Sequence, residues 1–86
     1  MSYKIVWDKK TKEAIQKFPF VISSRIYKKI NELVEEPFSK IRRLKGINAF
    51  KLRVGDYRVI LSIDVQNKII CVLKIGHRKN IYDNLK

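Results

Sequence analysis

The chain has a single cysteine, Cys71, so no disulfide can form within it, and reducing surroundings suit it. It has a single histidine, His77, and one cysteine with one histidine cannot build a zinc constellation. Its eight acidic residues are scattered, and no pair recurs at metal-ligand spacing, which argues against a two-metal nuclease. Three glycines leave no glycine-rich phosphate loop. No run approaches the roughly 20 apolar residues that span a bilayer. The opening Tyr3-Lys4-Ile5-Val6-Trp7 lacks the long apolar stretch of a signal peptide. The expectation is a cytoplasmic protein with no cofactor, no metal and no membrane partner.

What the chain has in excess is positive charge. Twenty Lys and Arg against eight Asp and Glu give a formal charge of +12 over 86 residues. A field that strong on so small a body selects polyanions, either nucleic acid or an acidic protein. Apolar residues make up 45% of the chain, enough for one modest core. With no repeat, low-complexity run or linker, residues 1–86 read as a single domain.

Hydrophobic periodicity predicts an α+β architecture. Tyr3, Ile5 and Trp7 alternate with Lys4 and Val6 as a strand does. Asp8 can cap a helix whose inner face carries Thr11, Ala14, Ile15 and Phe18. Pro19 suits the first turn of a second helix with the stripe Ile22, Ile26, Ile30 and Leu33. That helix should stop at Glu36, ahead of Pro37. Residues 37–48 then read as a connection carrying Lys40, Arg42, Arg43 and Lys45 with no acid. Beyond it the period becomes two. Phe50, Leu52 and Val54 form one apolar face, a turn at Gly55-Asp56 follows, and Tyr57, Val59, Leu61 and Ile63 continue the face. A second turn at 64–68, with Asn67 the candidate for left-handed geometry, leads to the apolar strand Ile69–Ile75. The predicted fold is a two-helix hairpin on a mainly antiparallel sheet of about four strands, in the order β-α-α-β-β-β, with a short C-terminal tail or helix.

Pairing these hairpins residue by residue gathers the cations. A two-residue turn at Gly55-Asp56 sets Arg53 directly opposite Arg58, with Lys51 on the same face. Like charges facing one another across strands destabilise a sheet, so stability alone does not account for the arrangement. If Asp64 pairs with Lys68, Lys74 faces Arg58, Gly76 faces Asp56, and His77 and Arg78 reach the same end of the sheet. Arginine forks match phosphate oxygens and keep their charge. Neighbouring positive charges disfavour an ammonium ion, which makes Lys51 a candidate base. Tyr82 can stack on a nucleobase or handle a proton. Lys45, Arg43, Lys74 and His77 are candidate outer RNA contacts.

The order of elements, together with Arg43-Leu44-Lys45-Gly46, Gly55-Asp56-Tyr57-Arg58 and the closing Gly76-His77-Arg78-Lys79-Asn80-Ile81-Tyr82, resembles the RelE branch of the RelE/ParE toxin superfamily over nearly the whole chain. The resemblance implies a compact RelE-like fold. It also implies an endoribonuclease that enters the ribosomal A site and cuts messenger RNA without a metal, the 2′-hydroxyl attacking the adjacent phosphate. It assigns Lys51 to the base or a phosphate contact, Arg53 and Arg58 to the phosphate, Arg78 to the leaving group or transition-state charge, and Tyr82 to the substrate base. The partners it implies are the ribosome and an acidic RelB-like antitoxin, with the toxin–antitoxin complex a higher-order oligomer. Familiar bacterial members carry a second lysine where this chain has Ala49.

Two other readings fit part of the pattern. A ParE-like inhibitor of DNA gyrase shares the fold and has counterparts of Arg58 and Arg78, whereas Lys51, Arg53 and Tyr82 favour the ribonuclease. A non-catalytic nucleic-acid-binding module would want exposed aromatics on the strands, and Phe50 and Tyr57 instead share the apolar face.

Overall fold

In a computed structural model, residues 2–81 are described. The elements run β1 (Lys4–Trp7), α1 (Lys9–Ile15), α2 (Phe20–Asn31), β2 (Ile41–Arg43), β3 (Phe50–Val54), β4 (Tyr57–Asp64) and β5 (Ile69–His77). The strands form one sheet in the order β1-β5-β4-β3-β2, with β1 parallel to β5 and every other pair antiparallel. The sheet therefore has five strands rather than about four. The added one is β2, three residues inside the segment that reads as a connection, whose Ile41 pairs with Leu52 and Arg42 with Lys51.

The helices form where local chemistry puts them. The Asp8 carboxylate accepts from the Thr11 backbone N–H at 3.3 Å and caps α1, satisfying one of the donors a helix start leaves open. Pro19 stands as the residue before α2 rather than inside its first turn. Regular α2 ends at Asn31, and turns carry the chain on from there, short of the stop expected at Glu36. Ile26, Ile30 and Leu33 are fully buried and Ile22 half-buried, as their spacing requires. They meet Leu52, Val54, Val59, Leu61, Ile70 and Val72 on one face of the sheet. Each such side chain, fully buried, contributes roughly 1.5–3 kcal/mol of transfer free energy. Trp7 closes the core edge against Tyr27, ring centroids 5.2 Å apart.

The β4–β5 register departs from the simple hairpin in two places. Asp64 accepts hydrogen bonds from the Asn67 backbone N–H at 3.0 Å and side-chain amide at 2.8 Å, which closes a four-residue turn. The left-handed residue is Lys68 (φ 57°), not Asn67, and Asp64 pairs with Ile69. That register sets Ile70 and Val72 opposite Ile63 and Leu61 on the core face. A slip of one residue would have turned them outward. A bulge at Leu73 then shifts the pairing once more, so Lys74 faces Ile60, Gly76 faces Arg58 and His77 faces Tyr57. The buried Thr11 hydroxyl donates to the Leu73 carbonyl at 2.6 Å, tying α1 to the bulge. Two single shifts restore the parity, and Lys74 keeps the face on which a simple hairpin would put it.

Candidate nucleic-acid interface on the open face

The face of the sheet turned away from the helices is where the cations collect. Across it run two rows set by the register: Arg42, Lys51, Ile60 and Lys74 in one, Arg53, Arg58 and Gly76 in the other. Lys40, Arg42, Lys51, Arg53 and Arg58 line a cleft of about 420 Å³, all five of them basic. Arg53 and Arg58 are directly opposed. The Arg58 guanidinium donates through Nη1 to the carbonyls of Gly55 and Tyr57, both at 2.8 Å, so the hairpin turn fixes its position. Lys40 is held at the rim by a 2.8 Å bond to Glu32. That bond, together with the charge of Lys40 and of Lys29, holds the exposed Glu32 carboxyl below the usual carboxylate range.

The remaining candidates lie around the cleft or away from it. The Arg78 backbone N–H donates to the Asp56 carbonyl at 2.8 Å, and its Nε lies 3.8 Å from an Asp56 carboxylate oxygen, at the hairpin end of the sheet. Lys74 is on the open face beside Ile60, outside the five cleft residues. Arg43, opposite Phe50, turns away from the cleft. Its guanidinium lies 5.6 Å from the centre of the Phe50 ring and donates to Asn48 at 3.1 Å. Lys45 is exposed in the loop before β3. His77 is on the helix-bearing face: it packs edge-on to Tyr57 at 5.6 Å, and its Nδ1 accepts from the Lys79 N–H at 3.2 Å. It reaches the end of the sheet where Arg53 and Arg58 lie, but on the opposite face. Tyr82 lies outside the described residues.

Lys40 and Arg42 read in the sequence only as part of a basic connection. A three-residue strand offers too little period to be seen, and it is the pairing with β3 that brings Arg42 beside Lys51. The periodicity also gives no sign of a second small core on this face, where Ala49, Ile60 and Ile81 are buried with Leu44 against them. A lysine at position 49 would compete with Ile81 for that space, which accounts for the alanine. Among the described residues no three His, Cys, Asp or Glu side chains cluster to hold a metal, and no helix is long and apolar enough to cross a membrane.

Known proteins share this fold. The sequence model of the ParE toxin of type II toxin–antitoxin systems matches residues 5–82. Toxin RelE3 of Methanocaldococcus jannaschii is 41% identical over 44 residues, a match that covers 50% of this chain and 48% of that protein, about half of its length. The archaeal RelE–RelB complex from Pyrococcus horikoshii contains a chain of the same fold, with TM-score 0.81 and 29% identity over 93% of this chain and 99% of that one. The RelBE2 toxin–antitoxin complex from Mycobacterium tuberculosis gives TM-score 0.83 at 22% identity, covering 91% of this chain and 100% of that one, a likeness of fold. The chain belongs to the ParE toxin family of type II toxin–antitoxin systems and, within the RelE/ParE superfamily, to its RelE-like branch.

Proposed function

We propose that the protein is a ribosome-dependent, metal-independent endoribonuclease that cuts messenger RNA in the A site and so arrests translation. The observation that carries this reading is the all-basic cleft on the open face, built around the opposed pair Arg53 and Arg58. Side chains that weaken their own sheet by repulsion are accounted for if a phosphate chain neutralises them on binding. In the proposed reaction a substrate 2′-hydroxyl gives its proton to a base and attacks the adjacent phosphorus. The P–O5′ bond breaks, leaving a 2′,3′-cyclic phosphate and a 5′-oxygen that takes up a proton. Lys51 serves as base or phosphate contact, and Arg53 and Arg58 hold the phosphate oxygens. Arg78 neutralises charge on the phosphate or leaving group, and Tyr82 orients the substrate base. Arg78 can exchange Asp56 for a phosphate, since an exposed ion pair is worth at most about 1 kcal/mol.

Lys45, Arg43 and Lys74 belong to the outer electrostatic footprint, and His77, on the other face, has no part in the site. A cleft of cations with no histidine–carboxylate couple suits an enzyme whose acid–base geometry is completed on the ribosome. Its partner is an acidic RelB-like antitoxin, a reading supported by the complex of RelE with RelB from Pyrococcus horikoshii. The two assemble into a higher-order oligomer. Purified protein should cut ribosome-bound message, leave free message intact with or without EDTA, and produce cyclic-phosphate ends. Intact message on competent ribosomes would reject the reading. Because the matching family model is that of ParE toxins, gyrase inhibition is the second reading, and loss of supercoiling activity would support it.

A further inference from the structure

Ile81 is almost completely buried, at 2% exposure, although it lies at the end of the described chain and on the face that carries the cations. Its seat is specific. Ala49 and Ile60 are buried with it and Leu44 packs alongside, so three separate segments hold one side chain. The floor of the seat is Gly76. A Cβ added there would stand 3.3 Å from Ile81 Cβ and 3.4 Å from its Cδ1, so a side chain at this position would make Ile81 give by a few tenths of an ångström. The seat lies among the candidate site residues. Gly76 is directly opposite Arg58, Ile60 is directly opposite both Lys51 and Lys74, and Ala49 is two residues from Lys51.

Between Gly76 and Ile81 the chain turns back over the sheet, and Arg78 is part of that turn. Its backbone N–H is held by the Asp56 carbonyl at 2.8 Å, and the Asn80 N–H by the His77 carbonyl at 2.9 Å. These two bonds fix the near end of the turn, and Ile81 fixes the far end. Arg78 is therefore clamped at the hairpin end of the sheet, where Arg53 and Arg58 also lie.

We infer that Ile81 is a positioning residue of the ribonuclease site: seated over Gly76, it closes the turn that presents Arg78 to the scissile phosphate beside Arg53 and Arg58. The inference rests on the ribonuclease reading for its catalytic half, while the seating itself can be measured without activity. Ile81 does not touch the reacting atoms. It acts by limiting where Arg78 can stand, and a displacement of about 1 Å at a reacting group can cost about a hundredfold in rate.

The test is single-turnover cleavage of ribosome-bound message by the full chain, with Ile81→Ala, Ile81→Val and Gly76→Ala, alongside amide hydrogen exchange of the free proteins. Ile81→Ala should slow cleavage about a hundredfold while half-saturation with ribosomes changes less than about threefold. The Arg78 and Asn80 amides should lose protection, with those of Ile70 and Val72 unchanged. Ile81→Val keeps the branched carbon over Gly76 and should retain cleavage within about threefold. Gly76→Ala, whose Cβ would press on Ile81 from the other side, should loosen the same Arg78 and Asn80 amides, though less than Ile81→Ala does. Loss of protection at Ile70 and Val72 as well would make Ile81 a general stability residue and overturn the inference. So would wild-type cleavage and wild-type Arg78 exchange in Ile81→Ala. If the wild-type protein itself makes no cuts, the ribonuclease reading and the catalytic half of this inference fail together. The exchange pattern then decides the seating alone.

Discussion

The opposition of Arg53 and Arg58 across β3 and β4 makes a quantitative demand on stability. Replacing Arg53 by Gln removes one of two like charges and keeps a long polar side chain on an exposed strand position. Arg53 is the better of the two to change, because Arg58 would also forfeit its bonds to the Gly55 and Tyr57 carbonyls. Unfavourable cross-strand pairs cost about 0.2–1 kcal/mol each. Lys51 and Arg42 on the same face add to the repulsion, so the gain from Arg53→Gln belongs toward the upper part of that range. In a domain of this size 1 kcal/mol corresponds to about 4–8 °C in Tm. Arg53→Gln should therefore melt a few degrees above wild type in calorimetry at low ionic strength. The gain should shrink toward zero in molar salt, where the screening length falls to about 3 Å. The same variant should bind single-stranded RNA more weakly, with a salt slope shallower by about 0.7 for the phosphate no longer neutralised. A variant no more stable than wild type at low salt would refute the claim that this cluster is retained at a cost to the fold. An increase in stability that persists in high salt would refute its electrostatic origin.

Other consequences follow from single contacts. Thr11→Val leaves the Leu73 bulge carbonyl without its 2.6 Å donor and should cost about 1–3 kcal/mol in urea denaturation, with little change in slope. Ala49→Lys, which restores the lysine of familiar bacterial members, must displace Ile81 or bury an ammonium. It should destabilise the protein by about 1–3 kcal/mol, and a variant of wild-type stability would show that the seat is loose. The Glu32 carboxyl is depressed in the folded state, chiefly by its bond to Lys40. Its contribution is thus complete above its unfolded pKa and lost as pH falls through the lower folded value. In a carboxyl NMR titration Glu32 should protonate below the range of free glutamate, and Lys40→Ala should move it back toward that range.

Much of the architecture is legible in the amino-acid sequence, for reasons that differ by element. The stripe from Ile22 to Leu33 repeats at helical spacing over three turns, and the run Phe50 to Ile63 repeats at two across a glycine turn, so each period is sampled often enough to be unambiguous. The opposition of Arg53 and Arg58 follows from the two-residue turn alone. What the sequence hides depends on single events. One bulge at Leu73 offsets the shift made in the 64–69 turn and so keeps Lys74 on the open face and His77 beside Tyr57, and nothing local in Val72-Leu73-Lys74 announces it. The strand β2 is three residues long, too short for a period, yet it delivers Arg42. Ile81 reads as a tail residue until the missing side chain of Gly76 gives it a seat. The site is thus visible in the sequence as a set of charges and invisible as a shape.

Whether the open basic face cuts message on the ribosome is tested most directly by primer extension. Programmed ribosomes carrying a defined A-site codon, kept in magnesium so that they stay assembled, are treated with wild-type protein and with a folded Arg58→Ala/Arg78→Ala variant. Discrete 5′ ends within the A-site codon are predicted for wild type, and none for the variant over the same time. Absence of cuts by wild type on competent ribosomes, or undiminished cutting by the variant, would contradict the ribonuclease reading.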